Sequence, residues 1–393
     1  MSIIPTDPIW IEQDVELAEL CERWSQQAAI AVDTEFMRSD TFYPIAGLLQ
    51  IGDGTGCYLI DPLAIQDFEP LRQLLLNPAV TKVLHACSED LEVFQHWLGL
   101  VPEPVFDTQL GAAFAGLGFS LGYAPLVKAL LNIEIPKSET RSDWLQRPLA
   151  VAQLKYAALD VAHLLVVYGK LLPMLREKER LGWVKEDCAE LVHNARKEPN
   201  FDHYYTKVGS AWKLRRRELA ILQRLCHWRE VEARSRDLPR NRLAKENALW
   251  EIARGHVTQV DALQAIGDLP RRTVERYGEH LVSLVKAVLA ENDESAWPQR
   301  LPPPLGREHG PMLKALRHHV RARAQKLQVP PELLVRKREY EALVRSGLES
   351  GDYRLPERLR GWRYPVVGEE LLALAEQFQT APLIEPQPGE SHA

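Results

Sequence analysis

The sequence predicts a mixed α/β domain followed by two all-helical domains, on three observations. Short apolar runs alternate with helical periodicity across residues 1–200, the strand pattern stops after about Trp212, and the second half repeats itself at an offset near 90. At 393 residues the chain has room for two or three domains, each with its own core.

Four runs in the first part read as strands: Ala28–Asp33, Gly47–Ile51, Cys57–Ile60 and Lys82–His85, each bounded by Gly, Asp or Pro. The first three follow one another closely, as an antiparallel meander would. Apolar residues at i, i+3, i+4 spacing predict helices over Phe68–Leu76, Asp90–Trp97 and about Ala150–Leu172. The result is a partly antiparallel sheet flanked by helices.

Beyond Trp212 the segments are Arg/Leu/Glu-rich and amphipathic. Leu238–Arg254 matches Val329–Arg345 at a constant offset of 91, and Gly278–Leu281 matches Gly368–Leu371 at 90. That period is too long for a solenoid, so the repeat reads as two copies of one small helical bundle. The chain then divides into an α/β domain over 1–200, a helical domain over 208–292, a Pro-rich linker over 293–310, a second helical domain over 311–380 and a disordered tail over 381–393.

With 46% hydrophobic and 26% charged residues the composition excludes a disordered or collagenous chain. No apolar run approaches the roughly 20 residues of a membrane span, and Met1–Trp10 lacks the basic and apolar regions of a secretory signal. A cytoplasmic location without membrane contact is the expectation. Five cysteines, scattered and never at C-x-x-C spacing, indicate neither a disulfide framework nor a zinc site. The net charge of −6 hides an asymmetry: residues 1–200 carry 16 Lys+Arg against 28 Asp+Glu, and residues 201–393 carry 32 against 26. An acidic half suited to cations and a basic half suited to an anionic polymer follow from that split.

Candidate chemistry concentrates in three places. Asp33 and Glu35 close the first strand and, two residues apart, point to one face. Close carboxylates of this kind call for a cation. Asp90 opens the helix after the fourth strand, where Ser88 is suited to cap and acidic residues favour the helix dipole. Tyr156 and Asp160, four apart on a helix, bring a phenol and a carboxylate to one face. Together the four carboxylates can surround two Mg²⁺ or Mn²⁺ ions, which prefer hard oxygen ligands. Such a pair of ions serves in-line phosphoryl displacement, with the tyrosine hydroxyl orienting the attacking water.

Asp33-x-Glu35, Asp90 in Ser88–Leu91, and Tyr156-x-x-x-Asp160 resemble the three motifs of the DEDD exonuclease superfamily, tyrosine subclass, whose fold is ribonuclease-H-like. Val32–Phe36, Leu48–Ile51, Leu84–Phe94, Phe106–Gln109, Ser142–Leu149 and Tyr156–Asp160 resemble the bacterial ribonuclease D family more closely. The repeated bundle resembles the HRDC domain, and one exonuclease domain followed by two such modules is that family's order. The resemblance implies a 3′→5′ exoribonuclease trimming structured RNA, chiefly tRNA precursors, and releasing nucleoside 5′-monophosphates. It assigns Asp33, Glu35, Asp90 and Asp160 as ligands of two divalent ions and Tyr156 as the residue positioning water. Cys87 stands where much of the family has Gly and is read as a packing change. Three covalently linked domains are expected to work as a monomer.

Other assignments follow less directly. Phe36 and His85 flank the ligands and serve either the terminal nucleotide or the core and strand end. Asp107 is either a carboxylate supporting the ligands from behind or a turn residue. Lys137, Arg141 and Arg147 fall between the second and third motifs and are candidates for phosphate contact, while Trp144 reads as core. The basic runs Lys213–Arg217 and Arg234–Arg242 are either solvated helix faces or phosphate-tracking surfaces. Two alternative functions are an RNA-binding scaffold with a silent exonuclease fold and a 3′→5′ DNA exonuclease.

Overall fold

The computed structural model describes residues 6–136 and 142–380. The expected tail over 381–393, and both Lys137 and Arg141, lie outside the described residues.

Six strands form one mixed sheet: β1 (Pro8–Ile11), β2 (Ala29–Met37), β3 (Ile45–Gly52), β4 (Cys57–Ile60), β5 (Thr81–Leu84) and β6 (Val105–Asp107), in the order β1-β4-β3-β2-β5-β6. Strand β3 runs antiparallel to both β2 and β4, which is the expected meander. Parallel strands β1, β5 and β6 extend it at the edges. Edge strand β1 has no counterpart in the sequence reading, because four residues beginning with proline give little alternation to detect.

Helices α1 (Asp14–Ser25), α2 (Glu69–Leu76) and α3 (Ser88–Trp97) cover one sheet face, where Ile30, Val32, Leu49, Ile51 and Leu84 are buried. Helices α4 (Thr108–Ala115) and α5 (Tyr123–Leu131) follow β6. The opposite face meets α6 (Val151–Ala162), whose Ala158 and Val161 pack on Ala31 and Val83. The single helix expected over 150–172 instead breaks at His163, and α7 (Leu164–Glu177) and α8 (Leu181–Arg196) complete the domain. Contrary to the expectation, the stretch Val151–Glu177 is long and apolar enough by length and composition to cross a bilayer. Here α6 packs against the sheet, and Val167, Leu171 and Leu175 of the following helix pack with α4.

The second half is helical throughout its described residues. The first bundle comprises α9 (Arg216–Ser235), α10 (Arg240–Leu243), α11 (Glu246–Gly255), α12 (Val260–Leu263) and α13 (Arg271–Ala290), and its core also takes in Tyr205 and Val208. The second comprises α14 (Gly310–Leu327), α15 (Pro331–Leu334), α16 (Lys337–Ser350) and α17 (Glu369–Thr380). The paired one-turn helices α10 and α15, and the helices α11 and α16 that follow them, begin 91 residues apart, so the sequence repeat is a repeat of architecture. Repeated glycines mark a tight crossing in both: a Cβ on Gly278 would lie 2.9 Å from Val260 Cγ1, and one on Gly368 would lie 2.9 Å from the Leu359 carbonyl oxygen.

Both bundles dock on the α/β domain. On the first, Asp237 Oδ1 accepts from the backbone N–H groups of Phe42 and Tyr43, each at 2.9 Å, and Phe42 is buried in the bundle's core. On the second, Trp362 stacks on Trp183 of α8 at 4.4 Å between ring centroids, and Arg363 forms a two-pronged pair with Asp187 at 2.8 and 2.6 Å.

These contacts correct part of the phosphate-tracking reading. Arg234 and Arg240 hold the buried Glu230 at 2.7 and 2.8 Å and lie over the Phe42 ring. Arg242 pairs with Asp40, and Arg236 donates to the Tyr277 hydroxyl. Arg216 donates to the carbonyl oxygens of Glu294, Trp297 and Pro298. Much of the basic excess therefore joins parts of the chain to one another; Lys213 and Arg215 remain exposed.

Candidate active site

The site forms where β2 passes beneath α6 and beside the start of α3. Alternation along β2 puts Asp33 and Glu35 on the face covered by α6, and Thr34 on the other. The register of β2 against β3 shifts between Glu35 and Phe36, so the bulge ends the regular ladder just past the second carboxylate. Ligand oxygens of Asp33, Glu35 and Asp160 all lie within 4.8 Å of one another. Asp90 joins them from the first turn of α3, buried, with Oδ1 accepting from the Thr34 hydroxyl at 2.5 Å.

All four acidic groups are raised above the ordinary carboxyl range, chiefly by burial. Burial, followed by the charges of Asp90, Asp160 and Glu35, raises the Asp33 carboxyl well above the ordinary range. Burial and the charges of Asp160 and Asp90 push Glu35 up to about 8. Asp90 rises to about 7 through burial, although the Thr34 hydrogen bond opposes this. Asp160 also rises to about 7 through burial, against a hydrogen bond from Tyr156. None of the four forms an ion pair with a basic side chain among the described residues, and Asp160 Oδ2 is buried without a hydrogen-bond partner. An all-oxygen donor set with no internal cation fits a hard divalent ion.

The start of α3 departs from expectation. Cys87, not Ser88, occupies the cap position, and no side chain of that segment caps the helix. Asp107, buried at the end of β6, instead holds the turn that leads into α3 from a neighbouring strand. It accepts from the backbone N–H groups of Ala86 and Cys87 at 3.2 and 3.0 Å, while also capping α4 through Gln109 and Leu110. Ala86 adopts φ of 57°, a left-handed conformation that side-chain-bearing residues rarely adopt, and the Asp107 clamp holds it. Asp107 thus stands behind the turn that presents Asp90, and sequence spacing alone gives no sign of this contact. The five cysteines are buried and none is joined in a disulfide, Cys87 among them.

Tyr156 is half-buried and hydrogen-bonded to Asp160, with its ring 6.1 Å from that of Trp144, a core residue. Half-buried His85 follows β5; its Nδ1 lies 2.9 Å from the Thr108 hydroxyl, and burial pulls its pKa below the ordinary value. Phe36 is half-buried beyond the bulge. Arg147 is not available for phosphate: its five N–H donors go to Asp61, through two bonds, and to the carbonyl oxygens of Gly47, Trp144 and Gln146. It staples the 144–148 segment to the sheet. A Cβ on Gly47 would lie 2.7 Å from both Trp144 Cβ and Trp144 O, so that close approach requires glycine.

A mixed sheet presenting four carboxylates defines a class, and comparison with known proteins agrees. The 3′-5′ exonuclease family matches residues 8–176, and the HRDC domain matches residues 218–285. The chain is 49% identical to the ribonuclease D of Pseudomonas paraeruginosa over 367 residues, covering 93% of this chain and 97% of that one. It is 37% identical to the ribonuclease D of Escherichia coli over 376 residues, covering 94% and 98%. The crystal structure of Escherichia coli RNase D, described as an exoribonuclease involved in structured RNA processing, superposes with a TM-score of 0.89 at 35% identity, covering 95% of this chain and 99% of that one. The protein is a hydrolytic 3′→5′ exoribonuclease with an HRDC domain. It belongs to the ribonuclease D family.

Proposed function

We propose that the protein trims the 3′ ends of structured RNA, chiefly tRNA precursors, one nucleotide at a time, as a DEDD-type nuclease of the tyrosine subclass. The convergence of the Asp33, Glu35 and Asp160 oxygens within 4.8 Å carries this reading. Asp33, Glu35, Asp90 and Asp160 would hold two divalent ions, Mg²⁺ or Mn²⁺. When bound, such ions lower the pKa of a water and offset the charge developing on the leaving oxygen.

The chain's own residues then have distinct tasks. Asp33 and Glu35 are set side by side by strand alternation. Asp90 is fixed by Thr34 from one side and by the Asp107-clamped turn from behind. The Tyr156 hydroxyl, held on Asp160, orients the attacking water, and its ring is kept in place by Trp144. Phe36 and His85 border the space for the terminal nucleotide. The second bundle, whose elements follow the order of the HRDC-matched one, is a second HRDC-type module, and both serve to retain RNA rather than to cut it.

The test is product sizing on one tRNA precursor labelled at its 5′ or 3′ end. Stepwise shortening of the 5′-labelled RNA, with the 3′ label released as mononucleotide in Mg²⁺ and intact in EDTA, is the expected result. Internal cleavage, 5′→3′ polarity or undiminished activity in EDTA would overturn the proposal.

A further inference from the structure

Gln50 stands beside this site with a carboxamide that no described residue engages. It lies on β3 directly opposite Asp33 of β2, it is 0% exposed, and neither Nε2 nor Oε1 has a hydrogen-bond partner among the described residues. Opposed residues of an antiparallel pair share a face, with Cβ atoms about 5 Å apart. The same-face neighbours of Gln50 on its own strand fix what covers it. Leu48 packs with Ala157 and Trp144, and a Cβ on Gly52 would lie 2.8 Å from the Val161 carbonyl oxygen. Gln50 is therefore enclosed between Asp33 and the part of α6 that carries Asp160, whose Oδ2 is also unpartnered.

Packing does not account for an amide here. An unpaired buried amide loses its hydrogen bonds to water without replacement, and methionine or leucine would fill a similar space without that penalty. The Leu48–Ile51 motif is thus left with one polar residue that the fold does not require.

We propose that Gln50 is a positioning residue for Asp33: its carboxamide N–H donates to the Asp33 carboxylate once a divalent ion is held there, fixing how that carboxylate is presented. The inference rests on the metal reading given under Proposed function. Groups that orient a ligand in this way are worth about 10- to 100-fold in metal affinity.

The full-length protein and its Gln50→Met, Gln50→Leu and Asp33→Asn variants test this by Mn²⁺ titration calorimetry and by melting in EDTA. Both Gln50 variants are expected to melt in EDTA at or above the parent temperature and to bind Mn²⁺ about tenfold or more weakly. Adding Gln50→Met to Asp33→Asn is expected to bring no further loss. Parent-like Mn²⁺ affinity in a folded Gln50 variant overturns the proposal, and so does a melting temperature in EDTA far below the parent's for both. If Asp33→Asn itself binds Mn²⁺ as the parent does, the metal reading fails, a result distinct from failure at Gln50 alone.

Discussion

Two acidic centres in this molecule are built in opposite ways. Glu230, at the core of the first bundle, is 0% exposed and is met by Arg229, Arg234 and Arg240 at 3.2, 2.7 and 2.8 Å. Burial alone would push its carboxyl up, but hydrogen bonds from Arg240 and Arg234 outweigh it and hold Glu230 below the ordinary range. Asp90 is buried and Asp33, Glu35 and Asp160 are half-buried, yet no basic side chain among the described residues pairs with them, and all four are raised. An acid compensated from within is architecture; a cluster left uncompensated is a place for a cation from outside.

The largest effect expected from this contrast is loss of catalysis without loss of fold. Asp33→Asn should cut mononucleotide release by roughly a thousandfold or more, the several kcal/mol that a metal ion contributes to charge stabilisation. Its melting temperature in EDTA should stay at or above the parent's, because an amide replaces a carboxyl whose ionisation burial and the neighbouring acids disfavour. Glu230→Gln should do the reverse. It leaves three arginines without their buried partner and should cost about 3–5 kcal/mol in denaturant unfolding. Hydrolysis of a short unstructured RNA should persist in that variant. If Asp33→Asn unfolded the protein while Glu230→Gln did not, the contrast would be broken.

Smaller effects sharpen it. Tyr156→Phe keeps the carboxylates and should lower turnover about a hundredfold through a misplaced water, with Mn²⁺ affinity changed little in calorimetry. Arg147→Met should cost about 1–3 kcal/mol of stability, since it leaves the Asp61 carboxylate unpaired. RNA affinity measured by filter binding should not change, because Arg147 has no free donor.

The pH response should differ between the metal-free and metal-loaded protein. In the unfolded chain the four carboxyls ionise near about pH 4. In the fold, Asp90 and Asp160 ionise near 7 and Glu35 near 8. Between those limits the unfolded chain releases protons that the folded chain keeps, so metal-free stability should fall as pH rises from 4 to 8. Stabilisation by Mg²⁺ should grow over the same interval, read as the difference between melting temperatures in Mg²⁺ and in EDTA. A difference that does not change with pH would contradict it.

Much of this was legible in the sequence, for physical reasons. The meander, the helices over 69–76 and 88–97 and the 91-residue repeat are local patterns of apolar spacing, and the carboxylates stand where strand and helix periodicity aim them together. What sequence did not carry is partnership across the fold. Arg147 sits between two of the motifs in sequence, yet all its donors are engaged by Asp61 and backbone carbonyl oxygens. Arg234 and Arg240 look like a solvated or RNA-facing run until Glu230 and Phe42 are seen beneath them. Asp107 shows its importance only when Ala86 and Cys87 are found on its oxygens. In each case the deciding neighbour is distant along the chain, and charge alone does not say whether a group faces inward or outward.

The most direct test of the central claim is a crystal grown with Mn²⁺ at pH 8 and measured at the manganese absorption edge. Anomalous peaks within coordination distance of Asp33, Glu35, Asp90 and Asp160, lost in the Asp33→Asn crystal, are the predicted result. The absence of peaks at these carboxylates in a crystal of the unsubstituted protein, or peaks that persist unchanged in Asp33→Asn, would contradict it.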